Sequence, residues 1–348
     1  MDDLDRQLLN RIQSDFPLVA RPFAELGRPL GLSEEDVVAR MRALKAGRIV
    51  RQVSAIFDTK SLGYKSSLVA MRVDPDRITE AARIINEHPG VTHNYERNHQ
   101  YNLWFTIAVP PTSDLEAVVQ RIHELARAEV TRVMYTLRLF KIGVNLDMTG
   151  RRPPDAVATP EYREQDRVRA RDFTVTELDK QVIRELQEDL PIEPRPFKAI
   201  AERIGLTEDE LFAAMQSLVE RGFMRRMAAI LYHRRAGFRA NGMGVWAVPE
   251  DDVVEIGEQM ASFANVSHCY RRPTYPDWPY NVFTMVHGQS VEQCEEILAA
   301  ISKKTGVTEY ISLYSTREYK KTRLLFYTDA YQNWEAKWMP QVESVPAT

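Results

Sequence analysis

The chain is written twice, and no other feature limits its fold as tightly. LDRQLLNRIQSDFPLVARPFAELGRPLGLSEEDVVARMRAL begins at Leu4, and LDKQVIRELQEDLPIEPRPFKAIAERIGLTEDELFAAMQSL begins at Leu178; the two align without a gap. Pro17 meets Pro191, Arg21-Pro22-Phe23 meets Arg195-Pro196-Phe197, and Gly31-Leu32 meets Gly205-Leu206. The match continues with Val91-Thr92-His93-Asn94-Tyr95 against Val266-Ser267-His268-Cys269-Tyr270, and with Tyr101-Asn102 against Tyr280-Asn281. Near the end of each copy, Arg138-Leu139-Phe140-Lys141 meets Arg317-Glu318-Tyr319-Lys320. The second copy carries extra residues, PTYPDWP, where the first has only NHQ.

Each copy has two parts. Leu4, Leu8, Leu9 and Ile12 share one helical face, and Gly31-Leu32-Ser33 reads as a turn and N-cap with acids in the following first turn. Val37, Met41 and Leu44 give that helix an apolar face, and Ile49–Phe57 leads out as a strand. This is a winged helix-turn-helix outline. The second part alternates strand and helix as β-α-β-β-α-β, with Val133–Ile142 read as its last strand, and the same order recurs from Gly242 to Tyr319. The expected fold class is α+β: two tandem repeats, each a winged helix-turn-helix domain followed by a ferredoxin-like (βαββαβ) domain. The expected divisions are helix-turn-helix domains at 1–56 and 175–231, ferredoxin-like domains at 57–147 and 232–326, a Pro- and charge-rich linker at 148–174, and a tail at 327–348. Trp334 and Trp338 suggest that part of the tail docks on the body.

Composition narrows the function. The 348 residues are 44% hydrophobic and 27% charged, with a net charge of -3 and a pI near 6.2, which argues against a protein whose main task is coating nucleic acid. No apolar run is long enough to span a bilayer, and the acidic, amphipathic start has no signal-peptide shape. Two cysteines, Cys269 and Cys294, make no disulfide framework, so the cytoplasm is the expected compartment.

The outline resembles the Lrp/AsnC family of transcription regulators, in which the second domain binds small molecules and pairs subunits through its sheet. A DNA-reading role fits poorly. The helix that would enter the groove starts Glu34-Glu35-Asp36 in the first copy and Glu208-Asp209-Glu210 in the second, facing a phosphate-lined surface with acids. A closer resemblance rests on RPF, HNYERNHQYNLWFT, SHCYRRPTYPDWPYNVFTMVHG and the preceding MRRMAAILYHRRAGFRANGMGVW, read as strand. With these segments the chain resembles the siroheme decarboxylases of the NirD/NirL and AhbA/AhbB type, over both halves but not the linker or tail. The resemblance implies a fused pair on one chain that converts siroheme to 12,18-didecarboxysiroheme by removing two acetate carboxylates. The route is to heme d1 or an alternative heme. The only iron is that of the substrate, and no cofactor is implied. Partners implied are siroheme itself and a second decarboxylase subunit pair of the same family. DNA and membranes are not expected. Like-with-like pairing of sheets would make the chain an internal pseudo-dimer, with further oligomerisation open. The alternative reading is a regulator responding to a ligand such as a tetrapyrrole.

The residues suit that substrate. Siroheme is a flat macrocycle with eight carboxylates, so a pocket for it needs cationic donors at the rim and aromatic or apolar faces. In the second copy, Arg271 and Arg272 are candidate carboxylate binders, with Tyr275, Trp278 and Tyr280 against the ring. Arg225 and Arg226 form a second basic cluster with His233, Arg234 and Arg235, and Lys320 is a third candidate. The first copy retains a thinner set, Arg51, Arg97 and Lys141. Losing CO2 from a pyrrole acetate requires a positioned acid, so His233 and His268, with His93 and His99 in the first copy, are the candidate proton donors or iron-side contacts. Taken singly, a strand histidine is more often structural, an Arg-Arg pair is more often a solvated turn, and Lys141 and Lys320 read as surface residues. His287 ends a strand before Gly288 and is assigned no role. Neither is Cys269, since adjacent strand residues point to opposite faces.

Overall fold

Each repeat begins with three helices whose starts are set by local chemistry. They are α1 (Asp3–Ser14), α2 (Pro22–Gly27) and α3 (Glu34–Ala46), then α6 (Glu177–Leu186), α7 (Lys198–Arg203) and α8 (Glu208–Glu220) in the second. A capping box opens α3: the Ser33 hydroxyl accepts from the Asp36 N–H while the Asp36 carboxylate accepts from the Ser33 N–H. Thr207 and Glu210 repeat it at α8. Leu8, Leu9 and Ile12 are fully buried, as their spacing requires. The computed structural model describes residues 1–14, 16–143, 153–158, 173–232 and 240–339. Within them the chain sorts into two units, Met1–Leu62 with Thr136–Ser312, and Gly63–Tyr135 with Leu313–Thr348.

In the first unit the two wings pair with each other. β1 (Val50–Phe57) runs antiparallel to β7 (Met224–Leu231), with Val53 opposite Ala229. Each helical cluster is then pinned to the wing of the other repeat: Phe16 N–H donates to Met227 O at 3.2 Å, and Leu190 N–H donates to Val53 O at 2.7 Å. The phenylalanines of the two RPF motifs meet near this seam through Phe16, whose ring lies 5.7 Å from Phe23 and 6.5 Å from Phe197.

The ferredoxin-like parts follow the expected order. The second unit holds β2 (Lys65–Arg72), α4 (Ile78–Glu87), β3 (Val91–Arg97), β4 (Leu103–Val109), α5 (Leu115–Ala126) and β5 (Val130–Met134), with sheet order β5-β2-β4-β3. The first unit holds β8 (Ala240–Trp246), α9 (Val253–Ala261), β9 (Val266–Arg271), β10 (Val282–Gly288) and α10 (Val291–Thr305), ordered β8-β10-β9. The stretch from Met224 to Trp246, read as one strand, is two: β7 belongs to the wing ribbon and β8 to this sheet. Of the linker, Ala156 and Ala158 are hydrogen-bonded to the turn after α9, through Ala264 N–H and Ser262 O.

The last strands are exchanged. Val133–Ile142 is not one strand: it breaks after Met134, and β6 (Arg138–Ile142) pairs with β9 of the second repeat, Leu139 opposite Tyr270. Reciprocally, β11 (Tyr310–Lys321), from Leu313 onward, pairs with β3 of the first repeat, Glu318 opposite Tyr95. Without these strands β3 and β9 would each end a sheet with a row of unpaired backbone groups. Each exchanged strand also brings a lysine to the carbonyl end of a helix. Lys141 Nζ donates to Phe263 O at 2.7 Å beyond α9, and Lys320 Nζ donates to Asn86 O at 2.8 Å and His88 O at 3.3 Å at the end of α4. Lys141 is buried, and burial lowers the Lys320 pKa.

Phe140 of β6 lies directly on Gly257 of α9, where an added Cβ would come within 2.3 Å of its ring. Gly257→Ala is therefore expected to lower stability by about 1–3 kcal/mol through overpacking, read as a lower urea midpoint at unchanged slope.

The tail does dock. Helix α11 (Ala330–Trp338) lies on the second unit: Trp334 joins its core, and Arg121 Nε donates to Trp338 O at 2.6 Å. The Trp334 ring sits 4.6 Å from that of His88, whose Nδ1 accepts from Gly90 N–H at 3.0 Å. Burial pulls the His88 pKa down to about 3, so the imidazole stays neutral. Its contribution to stability is full above the free-histidine pKa of about 6.5 and is lost as pH falls toward the folded value, at up to about 1.4 kcal/mol per pH unit. Urea midpoints should decline over that window, and His88→Gln should flatten the decline.

Candidate active site

The site grows from one irregularity in β9. Met285 of β10 lies opposite His268, but the next residue, Val286, lies opposite Val266, so Ser267 is an extra residue in the ladder. Such a bulge turns two consecutive side chains toward the same side. Ser267 Oγ thereby lies 2.8 Å from His268 Nδ1 and also 2.6 Å from His287 Nε2, while His287 Nδ1 lies 2.8 Å from Asn241 Oδ1. Beyond the bulge the strand alternates normally. Cys269 turns to the helices, with Sγ 3.5 Å from Gly257 O and a thiol pushed far up by burial. His268 and Tyr270 share the opposite face, their rings 6.1 Å apart.

Arg272 completes this face. Its guanidinium lies 4.8 Å from the Tyr270 ring and 5.3 Å from the Phe283 ring, and the residue is buried. Burial lowers its pKa to about 10, which leaves it cationic at neutral pH. Position is enforced by the backbone: Arg272 N–H donates to Asn281 O at 2.8 Å, and the Asn281 amide spans Val248, accepting from its N–H at 3.0 Å and donating to its O at 2.8 Å. Tyr275 and Trp278 exchange two backbone hydrogen bonds of 2.8 Å, closing a tight Pro276-Asp277 turn. Trp278 is buried against Tyr280, at 5.2 Å, and Phe283, at 6.1 Å. His268, Arg272, Trp278 and Tyr280, expected together, thus sit around Tyr270 and Phe283. Arg271 turns away and pairs with the Glu250 carboxylate.

The first repeat builds a reduced version. Thr92 is the bulge residue in β3, between Val91 opposite Ile107 and His93 opposite Thr106. Its hydroxyl lies 3.0 Å from His93 Nδ1 and 2.7 Å from Thr106 Oγ1. Arg97, the counterpart of Arg272, is buried, donates from Nη1 to Leu313 O at 2.9 Å, and has its pKa lowered by burial to about 10. His99 is not on this face: it lies in the turn, its Nδ1 accepting from Tyr101 N–H at 3.1 Å, and burial lowers its pKa.

The remaining candidates are dispersed. Arg225, on the wing ribbon, reaches Ile142 O at 3.4 Å, and Ile142 is the residue of β6 opposite His268. Arg226 lies on the same ribbon opposite Ile56, and Arg51 is half-buried on β1. Lys141 and Lys320 hold helix ends rather than this face. His233, Arg234 and Arg235 lie outside the described residues. The RPF arginines are engaged internally, Arg21 with Glu34 and Arg195 with Glu208, at the first turns of α3 and α8.

Sequence reasoning passed over His287, Asn241 and the Ser267 hydroxyl. A signal existed: in an antiparallel pair, Phe283, Met285 and His287 alternate onto the face that carries His268.

The family model described as the siroheme decarboxylase NirDL-like HTH domain matches residues 5–51 and 179–225, and that of the AsnC-like ligand binding domain matches 61–141 and 235–320. The chain is 41% identical to a siroheme decarboxylase of Hydrogenobacter thermophilus over 94% of its own length and 96% of that protein's. It is similar to the crystal structure of the siroheme decarboxylase NirDL, with a TM-score of 0.75, 36% identity and coverage of 97% and 98% of the two chains. The structure of NirDL in co-complex with an iron-uroporphyrin III analogue gives 0.74 and 35%, with the same coverage. No helix among the described residues is long and apolar enough to cross a membrane. The chain belongs to the siroheme decarboxylase family, whose fold is Lrp/AsnC-like.

Proposed function

We propose that this chain is a carboxy-lyase acting on siroheme, removing two acetate carboxylates to give 12,18-didecarboxysiroheme. The observation that carries the reading is the face of β9 and β10, where His268 and a buried cationic arginine, Arg272, lie to either side of Tyr270 on a shelf of aromatic rings. A flat polyanion needs that pairing of apolar surface and fixed positive charge.

In this reading Arg272 holds a carboxylate that does not react, while Tyr270, Phe283 and Trp278 border the macrocycle. The reacting acetate is left poorly solvated, because an arginine clamped on it would stabilise the ground state and slow its loss. His268 carries the proton. Protonation of the ring system provides a sink for the electron pair of the breaking C–C bond; CO2 departs, a proton delivered to the remaining carbon makes the methyl group, and the ring gives its own proton back. Each cycle consumes one proton per CO2, with no oxidant or reductant. The residues do the work of orientation, desolvation and proton delivery.

The first turns of α3 and α8 speak against the regulator. Their glutamates, Glu34 and Glu208, are paired with the RPF arginines, so the charge of each arginine is already matched by a carboxylate.

The test is anaerobic incubation of the purified protein with siroheme, followed by absorption and mass spectrometry. Loss of two CO2 is the expected result. A spectral shift with unchanged mass would make the protein a tetrapyrrole carrier. No shift at all, with salt-sensitive DNA retardation, would return the regulator.

A further inference from the structure

We infer that His287 is a positioning residue that fixes the tautomer of His268 through the Ser267 hydroxyl, so that the second repeat delivers the proton in a directed way and the first does not. The inference rests on the decarboxylase reading and deepens it.

The geometry gives the relay a direction. Asn241 Oδ1 can only accept, so His287 Nδ1, 2.8 Å away, carries the hydrogen. His287 Nε2 is then an acceptor, and takes the Ser267 hydroxyl hydrogen across 2.6 Å. The Ser267 oxygen in turn accepts from His268 Nδ1–H across 2.8 Å. The Ser267 hydroxyl also faces Met285 O at 3.3 Å; with either acceptor its oxygen is left to accept from His268 Nδ1–H, so the hydrogen of the neutral His268 ring sits on Nδ1 and not on Nε2. That nitrogen alone can take up a proton and hand it on. Fixing a tautomer through the far ring nitrogen is how second partners orient catalytic and metal-binding histidines.

The first repeat lacks this logic. His93 Nδ1 meets Thr92 Oγ1 at 3.0 Å and Thr106 Oγ1 at 3.4 Å, and those hydroxyls lie 2.7 Å from each other. A hydroxyl both donates and accepts, so these two hydroxyls by themselves enforce neither direction at His93. The position in the first repeat that aligns with His287 is Ala108. Both repeats retain the bulge, but one alone has an imidazole behind it.

The experiment compares wild type with His287→Ala, His287→Gln and Asn241→Leu, using two readouts. Histidine-ring nitrogen shifts in substrate-free protein report the His268 tautomer, with His268→Gln assigning the signal. Single-turnover decarboxylation and siroheme absorption titration separate rate from affinity. The wild type is expected to hold His268 with its hydrogen on Nδ1, and His287→Ala to lose that preference. Its rate should fall about 10- to 100-fold, with affinity within about twofold of wild type. Glutamine offers an amide oxygen to the Ser267 hydroxyl and should restore most of the rate; Asn241→Leu should fall in between. An unchanged tautomer in His287→Ala overturns the inference, as does a loss of affinity and rate together that glutamine does not rescue. If the wild type leaves siroheme intact, the decarboxylase reading fails, and the tautomer readout alone still decides whether His287 directs His268.

Discussion

His268→Ala is expected to lower the decarboxylation rate about 10²- to 10⁴-fold, the usual worth of a positioned general acid, while siroheme still binds. The reason lies in where His268 stands. Its ring shares a face with Tyr270 and Arg272, and Nδ1 is engaged by Ser267, so the imidazole adds little to the grip on the substrate beyond its proton. The alanine variant should therefore keep its absorption change on adding siroheme and lose turnover. His93→Ala in the first repeat should cost much less. Equal losses in the two variants would mean that both faces work, and a full loss confined to His93→Ala would move the chemistry to the first repeat.

Arg272→Met should separate binding from folding in the opposite sense. The side chain is buried, and its pKa is held near 10 by desolvation, so the free protein carries a charge that burial opposes. Methionine keeps the length and the contact with Tyr270 and Phe283 without that cost, and buried charges replaced by well-packed apolar groups often leave stability unchanged or higher. The carboxylate of the substrate, however, loses a charge-assisted hydrogen bond worth about 1.5–3 kcal/mol, or roughly 10- to 100-fold in affinity. A urea midpoint at or above wild type together with weakened siroheme binding is the expected pair of results. A lower midpoint with intact affinity would make Arg272 a structural residue that happens to lie under aromatic rings.

Much of this protein could be read from its residues because periodicity is a local signal. The helix faces of α1 and α3, the caps at Ser33 and Thr207, and the β-α-β-β-α-β order all follow from spacing within a few residues. The strand exchange did not. Val133–Ile142 is rich in apolar, aromatic and β-branched residues without a Gly or Pro, and nothing in it says that a break at Tyr135-Thr136-Leu137 sends its second half to another sheet. Choice of partner by a sheet edge is a tertiary decision. The same limit applied to Lys141 and Lys320, whose basic charge suggested carboxylates but whose neighbours, set by the exchange, are helix-end carbonyls.

At the site, composition pointed to one segment and alternation sorted it only in part. Arg271 and Arg272 are adjacent, so a strand sends them to different sides, and Glu250 takes the first. Ser267 and His268 are adjacent too, yet the bulge brings them together. A single extra residue in a ladder leaves no mark on the hydrophobic pattern, since it shows only when both strands are counted against each other. His287 was missed for that reason: its partner Ser267 is twenty residues earlier in the chain and one bulge out of step.

The exchanged strands bear on how such a chain can be inherited. Residues 138–142 are encoded with the first repeat but complete a sheet of the second, and residues 313–321 do the reverse. A substitution in either stretch is therefore judged by selection in a half other than the one that carries it. A gene broken at the linker would yield two polypeptides that each lack a strand, neither able to finish folding until it met the other. The two copies can diverge in their chemistry, as the faces around His93 and His268 have, but they remain bound to evolve as a pair.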